Sequence, residues 1–155
     1  ERDGHGKRKF SKVDLSIEYR GETIKNVTEI PAGAKAFIDV TIQNLNHERA
    51  PIEMAIDIGD SKGINLFNLS NQYTSDYIFA EGSENIIRFE IDQINLRKGT
   101  FYMSFWGRDN NGVFDYIKQA ASFDVVKSDF FRTGKYPDLA HQGYFVVKSK
   151  QFNIK

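Results

Sequence analysis

A period of two runs through this sequence, with apolar side chains at every second position of many short segments. In residues 13–19, for example, Val13, Leu15 and Ile17 alternate with polar neighbours. Such alternation places one face of an extended strand against a core and the other face in water. The pattern predicts strands at residues 13–19, 36–43, 52–58, 87–91, 100–108, 113–117, 121–126 and 144–148.

Turn-forming residues separate these segments and favour antiparallel pairing. Asn111-Gly112 is the sharpest turn signal, because both residues tolerate positive φ, and it predicts a hairpin between 100–108 and 113–117. We interpret residues 64–84, the least regular stretch, as a long connection with one helical turn around 71–76. Since no amphipathic helix of about ten residues or more is present, the chain is predicted to be all-β, an antiparallel β-sandwich of jelly-roll or immunoglobulin-like type.

The core of this sandwich is predicted from the inward face of each strand. It comprises Val13, Leu15, Ile17, Ile38, Val40, Ile42, Ile52, Met54, Ile56, Ile87, Phe89, Ile91, Phe101, Met103, Phe105, Phe123 and Val125.

Basic residues concentrate at the two ends of a chain whose formal net charge is zero. Residues 1–12 carry five basic and two acidic side chains and residues 127–155 carry six and two, so the stretch between them is acidic. A nucleic-acid-binding domain needs a basic surface on its folded body, so nucleic acid is not an expected partner. We interpret residues 1–12 as a solvated linker or tail and 13–155 as one domain. The first residue, Glu1, suggests that the chain was cut from a longer protein.

Motifs for catalysis, metals or cofactors are weak in this sequence. It has no cysteine, and the spacing of its three histidines is not that of a metal site. Residues 109–112 resemble only the start of a calcium loop, and Gly4-His5-Gly6-Lys7-Arg8 lacks the spacing of a phosphate-binding loop. Glu53, Asp57 and Glu90 share polar strand faces, as the carboxylates of a small glycosidase would, although solvated acidic residues are common there. We therefore predict no catalytic residue, metal site or cofactor.

The segment 100–108 carries the strongest candidate for a binding site. Phe101, Met103 and Phe105 occupy its apolar face, and the opposite face bears the residues Tyr102, Ser104, Trp106 and Arg108. Aromatic rings beside planar donors suit a pyranose, whose C–H face stacks on a ring while its hydroxyls accept and donate hydrogen bonds. The predicted glycan site adds flanking residues from neighbouring polar faces, namely Glu53, Asp57, Arg88, Glu90 and Tyr116.

The order of motifs resembles a known family. The opening Arg2-Asp3-Gly4-x-Gly6 is followed by Ile30-Pro31-Ala32-Gly33, by Ile38-Asp39-Val40-Thr41-Ile42-Gln43-Asn44 and by residues 56–63. The elements 96–104, 109–116 and 120–125 complete the pattern. Together they are similar to the C-terminal domain of Wzt-type ATP-binding subunits of O-antigen ABC exporters. The segment from Phe130 to Gly143 departs from that pattern.

This resemblance implies a sandwich that binds the non-reducing end of a finished O-polysaccharide and licenses its export. It also implies that ATP hydrolysis belongs to a separate N-terminal domain, which would link this domain to a membrane-spanning exporter subunit at the cytoplasmic face of the inner membrane. A homodimer is expected because the exporter's ATPase works as a pair, and residues 144–148 are expected to pair with their own sheet or a neighbour's. Two other hypotheses stay open: a dimerisation or protein-interaction sandwich with Tyr102 and Trp106 as anchors, and a small glycosidase.

Overall fold

The computed structural model describes residues 2–155. These residues form eleven strands and one short α-helix: β1 Arg2–Asp3, β2 Arg8–Tyr19, β3 Glu22–Lys25, β4 Glu29–Pro31, β5 Lys35–Asn44, β6 Ala50–Gly59, β7 Asn65–Ser70, α1 Asn71–Thr74, β8 Ile78–Ala80, β9 Glu84–Ile91, β10 Gly99–Asp109 and β11 Gly112–Val126. A single 3-10 turn follows at Ala140–Gln142.

Two sheets form the β-sandwich that the alternation predicts. The first has the order β1-β11-β10-β6-β7, with β4 also pairing to β11 and β8 to β6. The second has the order β3-β2-β5-β9. Pairing is antiparallel except between β4 and β11, which run parallel. The first sheet is the one that carries the predicted site, because β10 lies at its centre.

The inward faces of both sheets form one hydrophobic cluster, as the period of two predicts. Phe101, Met103 and Phe105 are each 3% exposed or less, so the register of β10 is the predicted one. Of the other predicted core residues, four are half-buried and pack against the cluster: Val13, Ile87, Phe89 and Ile91. Since β10 turns its apolar face inward, its opposite face points out of the sandwich.

A hairpin joins β10 to β11, and β11 is longer than predicted. It runs unbroken for 15 residues where the sequence predicts two strands. The apparent break at residues 118–120 is a bulge, since Phe105 pairs with Ile117 while Met103 pairs with Ala121. Gln119 has a positive φ of 49° there, and its N–H donates to Ser104 Oγ at 2.9 Å. The bulge thus disrupts the alternation without ending the strand.

Residues 2–12 belong to the sandwich, which corrects the prediction of a solvated tail. β1 pairs with β11, and Arg8 is 1% exposed. Asp115 accepts hydrogen bonds from Arg2 Nε at 2.9 Å, Arg2 Nη2 at 2.7 Å and the Phe10 N–H at 2.9 Å. The hydropathy pattern does not predict that this segment is buried, because ion pairs rather than apolar side chains hold it against the sandwich. A bulge between Phe10 and Lys12 also breaks the alternation of apolar and polar residues. Glu1, the remaining residue of the predicted tail, lies outside the described residues.

Two further segments differ from prediction. The connection 64–84 contains the expected helical turn as α1, but also β7 and β8, which both pair with β6. Residues 144–148 do not form a strand: Phe145 makes one isolated bridge to Leu96. Hydrogen bonds from the Arg97 N–H to the Tyr144 carbonyl (2.6 Å) and from the Val146 N–H to the Asn95 carbonyl (2.9 Å) hold this segment.

Candidate functional site

The outward side of β10 forms a surface that we call the aromatic face, defined by Tyr102, Ser104, Trp106, Arg108, Glu53, Asp57 and Tyr116. Register brings these residues together from three strands. Trp106 lies opposite Tyr116 on β11, and Ser104 and Arg108 lie opposite Asp57 and Glu53 on β6. Directly opposed side chains on one face of a sheet lie within contact distance. The aromatic face therefore combines two neighbouring rings with carboxylates and a guanidinium.

The ion pair between Arg108 and Glu53 on this face is loose enough to exchange partners. Arg108 Nε lies 3.6 Å from Glu53 Oε2, beyond hydrogen-bond distance, and the two side chains are 53% and 40% exposed. Asp57 Oδ1 accepts a hydrogen bond from Asn68 Nδ2 at 2.5 Å. An exposed ion pair of this kind contributes about 0–1 kcal/mol, so a ligand displaces it at little cost.

A buried ionic cluster fixes the end of β10 from the inside. Asp109 Oδ2 accepts a hydrogen bond from Arg8 Nε at 3.0 Å, and Asp109 Oδ1 lies 3.2 Å from His5 Nε2. Burial raises the pKa of Asp109, but hydrogen bonds from the Asn111 N–H, His5 and Arg8 outweigh it and hold that pKa below its ordinary value. Because Asp109 is anchored inward, its neighbour Arg108 is directed outward onto the aromatic face.

Two grooves open along this side of the first sheet, on either side of Trp106. The smaller, of about 440 Å³, is lined by Tyr102, Ser104, Tyr116, Asp57 and Asp60 together with the β11 bulge. The larger, of about 810 Å³, is lined by Glu53 and Arg108 and by the segment from Asn71 to Ile78. The aromatic face shares Glu53 and Arg108 with the larger groove, and it shares Tyr102, Ser104, Tyr116 and Asp57 with the smaller one.

Two predicted site residues lie elsewhere. Arg88 and Glu90 are on β9, which belongs to the second sheet, so they do not flank Trp106. There Arg88 Nε donates to Asp39 Oδ1 at 2.7 Å, and Glu90 pairs with Lys35 at 2.6 Å. Because Glu90 is on the second sheet, it does not lie beside Glu53 and Asp57, as the carboxylates of a glycosidase site would. Alternation identifies the polar face of a strand but not the sheet that the strand joins.

The sequence did not identify Tyr73 and Tyr77 as site residues, although both line the larger groove. They are 76% and 88% exposed. The only signal for them is compositional, since both lie in the polar stretch 71–77, where no alternation assigns them to a core.

Residues 2–155, which the structure describes, show neither a metal-binding cluster nor a membrane-spanning helix. No group of three or more His, Cys, Asp or Glu residues in that range is arranged to hold a metal ion. No helix in that range is long and apolar enough to cross a membrane.

The fold and the surface together define an all-β sandwich domain with an aromatic and polar face. The family model of the Wzt C-terminal domain matches residues 1–136 of this chain. The chain belongs to this family, which is associated with O-antigen export. A search of curated proteins found no match.

One solved structure supports this fold. A crystal structure of the C-terminal domain of Wzt superposes with a TM-score of 0.77 at 16% identity, covering 99% of this chain and 87% of that one. A β-glucuronidase 2 from Bacteroides uniformis, in a calcium-binding mutant form, matches with a TM-score of 0.48 at 14% identity, covering 73% of this chain and 14% of that one. The predictions of a β-sandwich and of the family are confirmed by the first match and by the family assignment.

Proposed function

We propose that this chain is a non-catalytic carbohydrate-binding domain that recognises the non-reducing terminus of an O-antigen polysaccharide and couples it to export by an ABC transporter. The observation that carries the proposal is the aromatic face, where Trp106 and Tyr116 lie side by side next to the loosely paired Arg108 and Glu53. Family membership supports the export context.

Stacking on the aromatic face supplies the apolar part of binding. A sugar ring that covers about 60–80 Å² of aromatic surface gains roughly 1.5–2 kcal/mol at about 25 cal/mol per Å². A hydrogen bond with one charged partner, such as Arg108 or Glu53, adds about 1.5–3 kcal/mol. One chain terminus makes few such contacts and loses freedom on binding, so the affinity is in the range of about micromolar to millimolar.

The same proposal covers the assembly in which the domain works. An N-terminal ATPase domain in the longer protein connects it to a membrane-spanning exporter subunit at the cytoplasmic face of the inner membrane. The domain is a homodimer, in keeping with an ATPase that acts as a pair. In this arrangement the aromatic face presents a finished polysaccharide end to the exporter.

A protein-interaction role is the second candidate. Phe152 and Ile154 near the chain end are 77% and 90% exposed, and exposed apolar side chains commonly mark contact surfaces. Phe152 and Ile154 lie far in sequence from β10. Substitutions at the chain end and on β10 therefore distinguish a protein-interaction role from glycan binding.

The test is calorimetric titration of the domain with O-polysaccharide from the strain that encodes it. Trp106→Ala and Arg108→Ala should each weaken binding about tenfold or more. Both side chains point away from the core, so the thermal unfolding temperature should change little. Unchanged affinity in both folded variants would place the site elsewhere, and no binding by the parent domain would leave the protein-interaction role. Product analysis after long incubation checks for hydrolysis.

A further inference from the structure

Two exposed tyrosines lie beside the aromatic face, on a turn that hydrogen bonds hold in place. Tyr73 and Tyr77 line the groove of about 810 Å³ next to Glu53 and Arg108. Two aromatic rings this exposed within one groove suit the stacking of a ligand, because covering them removes apolar surface from water.

Hydrogen bonds from the Asn71 side chain hold this turn against β6. Asn71 Oδ1 accepts a hydrogen bond from the Met54 N–H at 2.8 Å, and Asn71 Nδ2 donates to the carbonyls of Ile52 and Asp76, both at 3.1 Å. Ser70 caps the turn by accepting from the Gln72 N–H at 3.1 Å. The tyrosines are thus presented by a braced turn, which lowers the entropy lost when a ligand orders them.

The groove is continuous with the aromatic face. Glu53 and Arg108 belong to both surfaces, since they line the groove and form the residue pair two positions along the strands from Trp106, on the same face of the sheet. We propose that this groove is a second saccharide subsite, taking a sugar unit adjacent to the one on Trp106; the inference rests on the proposed function. A chain that crosses Trp106 and continues past Arg108 places its next unit between the tyrosines.

The charge of the groove selects the kind of sugar. Its carboxylates are Glu53 and Asp76, together with Asp109, which Arg8 neutralises; its guanidinium is Arg108. Glu53 Oε2 lies 3.6 Å from Arg108 Nε and receives no hydrogen bond from any described residue, and with Asp76 the lining keeps an excess negative charge. A carboxylate lacking a donor favours a hydroxyl or an ammonium group and disfavours an anion. The subsite therefore takes an uncharged or amino-bearing unit in preference to a uronic acid or a phosphorylated sugar.

Fragment length tests the subsite. The probes are fragments of the strain's O-polysaccharide that retain its non-reducing end, one with a single sugar and one with several repeating units. Tyr73→Ala and Tyr77→Ala should each weaken binding of the long fragment about fivefold and leave the short one unchanged, whereas Trp106→Ala weakens both. Leu45→Ala, at an exposed apolar position outside the groove, is the control and should change neither.

A charge change tests the sugar class. Glu53→Gln should weaken the long fragment about fivefold, because the amide is a poorer acceptor, while Glu90→Gln on the second sheet leaves it unchanged. Tighter binding by Glu53→Gln would show that the unit is anionic and overturn the charge assignment.

The outcomes separate this inference from the proposed function. If Trp106→Ala weakens binding but both tyrosine variants bind the long fragment normally, the second subsite is wrong and the proposed function stands. If the parent domain binds neither fragment, both fail.

Discussion

Among single residues, Arg8 and Asp109 form the ion pair that most affects both stability and the site. Both side chains are 1% exposed, and Arg8 Nη1 also donates to Asn44 Oδ1 at 2.9 Å and to the Glu48 carbonyl at 3.1 Å. Breaking a buried pair from one side leaves the other charge uncompensated, which is far more costly than losing a surface pair. The pair thus ties the N-terminal segment to the strand that presents Trp106 and Arg108.

Asp109→Asn should lower the free energy of unfolding by about 3–5 kcal/mol at pH 7. Asp39→Asn, which breaks the surface pair with Arg88, should cost about 1 kcal/mol or less and is the control. Urea denaturation of each variant measures both values. Equal losses from the two substitutions would contradict the distinction between the pairs.

The same substitution should change the acid sensitivity of the domain. The folded pKa of Asp109 lies below its ordinary value, so its stabilisation is complete above about pH 4 and is lost as the pH falls towards the folded pKa. The difference in unfolding free energy between the parent and Asp109→Asn should therefore be largest near neutral pH and shrink as the pH falls below about 4. A difference independent of pH would show that Asp109 does not act through its charge.

Side-chain direction is the part of the site that the sequence predicts well. Tyr102, Ser104, Trp106 and Arg108 needed only the period of two and a buried Phe101 face, both of which are local. Contacts between residues distant in the sequence cannot be predicted in this way. That Arg8 is buried against Asp109 depends on contact between residues 101 positions apart, and no local pattern encodes it.

Among the elements, α1 depends on a side chain outside the core. Its four residues cannot form a stable helix alone, since isolated helices need about 12–15 residues. The Asn71 side chain supplies backbone partners on β6 and within the turn. The sequence predicts residues 64–84 only in part, because β7 and β8, which flank α1 and pair with β6, show no clear alternation of apolar and polar residues.

Asn71→Ala should destabilise the domain by about 1–3 kcal/mol, because buried backbone groups lose their partners. Hydrogen–deuterium exchange should rise in residues 71–78 and stay unchanged in β10 and β11. Asn68→Ala, which removes an exposed bond to Asp57, is the matched control and should leave exchange at 71–78 unaltered. Protection at 71–78 equal to that of the parent would mean that Asn71 does not brace the turn.

Sheet membership sets a further limit at this scale. β9 shows clean alternation, and its polar face was predicted correctly as polar, but Arg88 and Glu90 face outward from the second sheet. A strand joins one sheet or the other through non-local pairing, here with β5. The sequence therefore predicts the faces of the strands and the class of fold, whereas the grouping of faces into a site requires the topology.

At the scale of the whole molecule, two surfaces are suited to contact between copies of the chain. β9 is an edge of the second sheet, with Ile86 63% exposed on it. Beyond residue 146, which is buried, the chain end displays Val147, Phe152 and Ile154, all at least 73% exposed. An exposed edge together with an apolar segment of alternating pattern favours pairing between copies. The Tyr144 hydroxyl donates to Asp60 Oδ2 at 2.5 Å and Val146 is buried, so the segment stays on its own domain up to that residue.

We expect the domain to be a homodimer held by this terminal segment, and substitution within it to give monomers. Multi-angle light scattering at high protein concentration should return twice the monomer mass of 17.8 kDa for the parent and close to 17.8 kDa for Phe152→Asp/Ile154→Asp. Charges placed in an apolar contact are costly to bury, whereas in the monomer both side chains are already exposed and the fold is unaffected. Leu45→Asp, at an apolar position 62% exposed elsewhere on the surface, is the control and should remain dimeric. A parent mass near 17.8 kDa would exclude the dimer, and a dimeric double variant would move the contact away from the chain end.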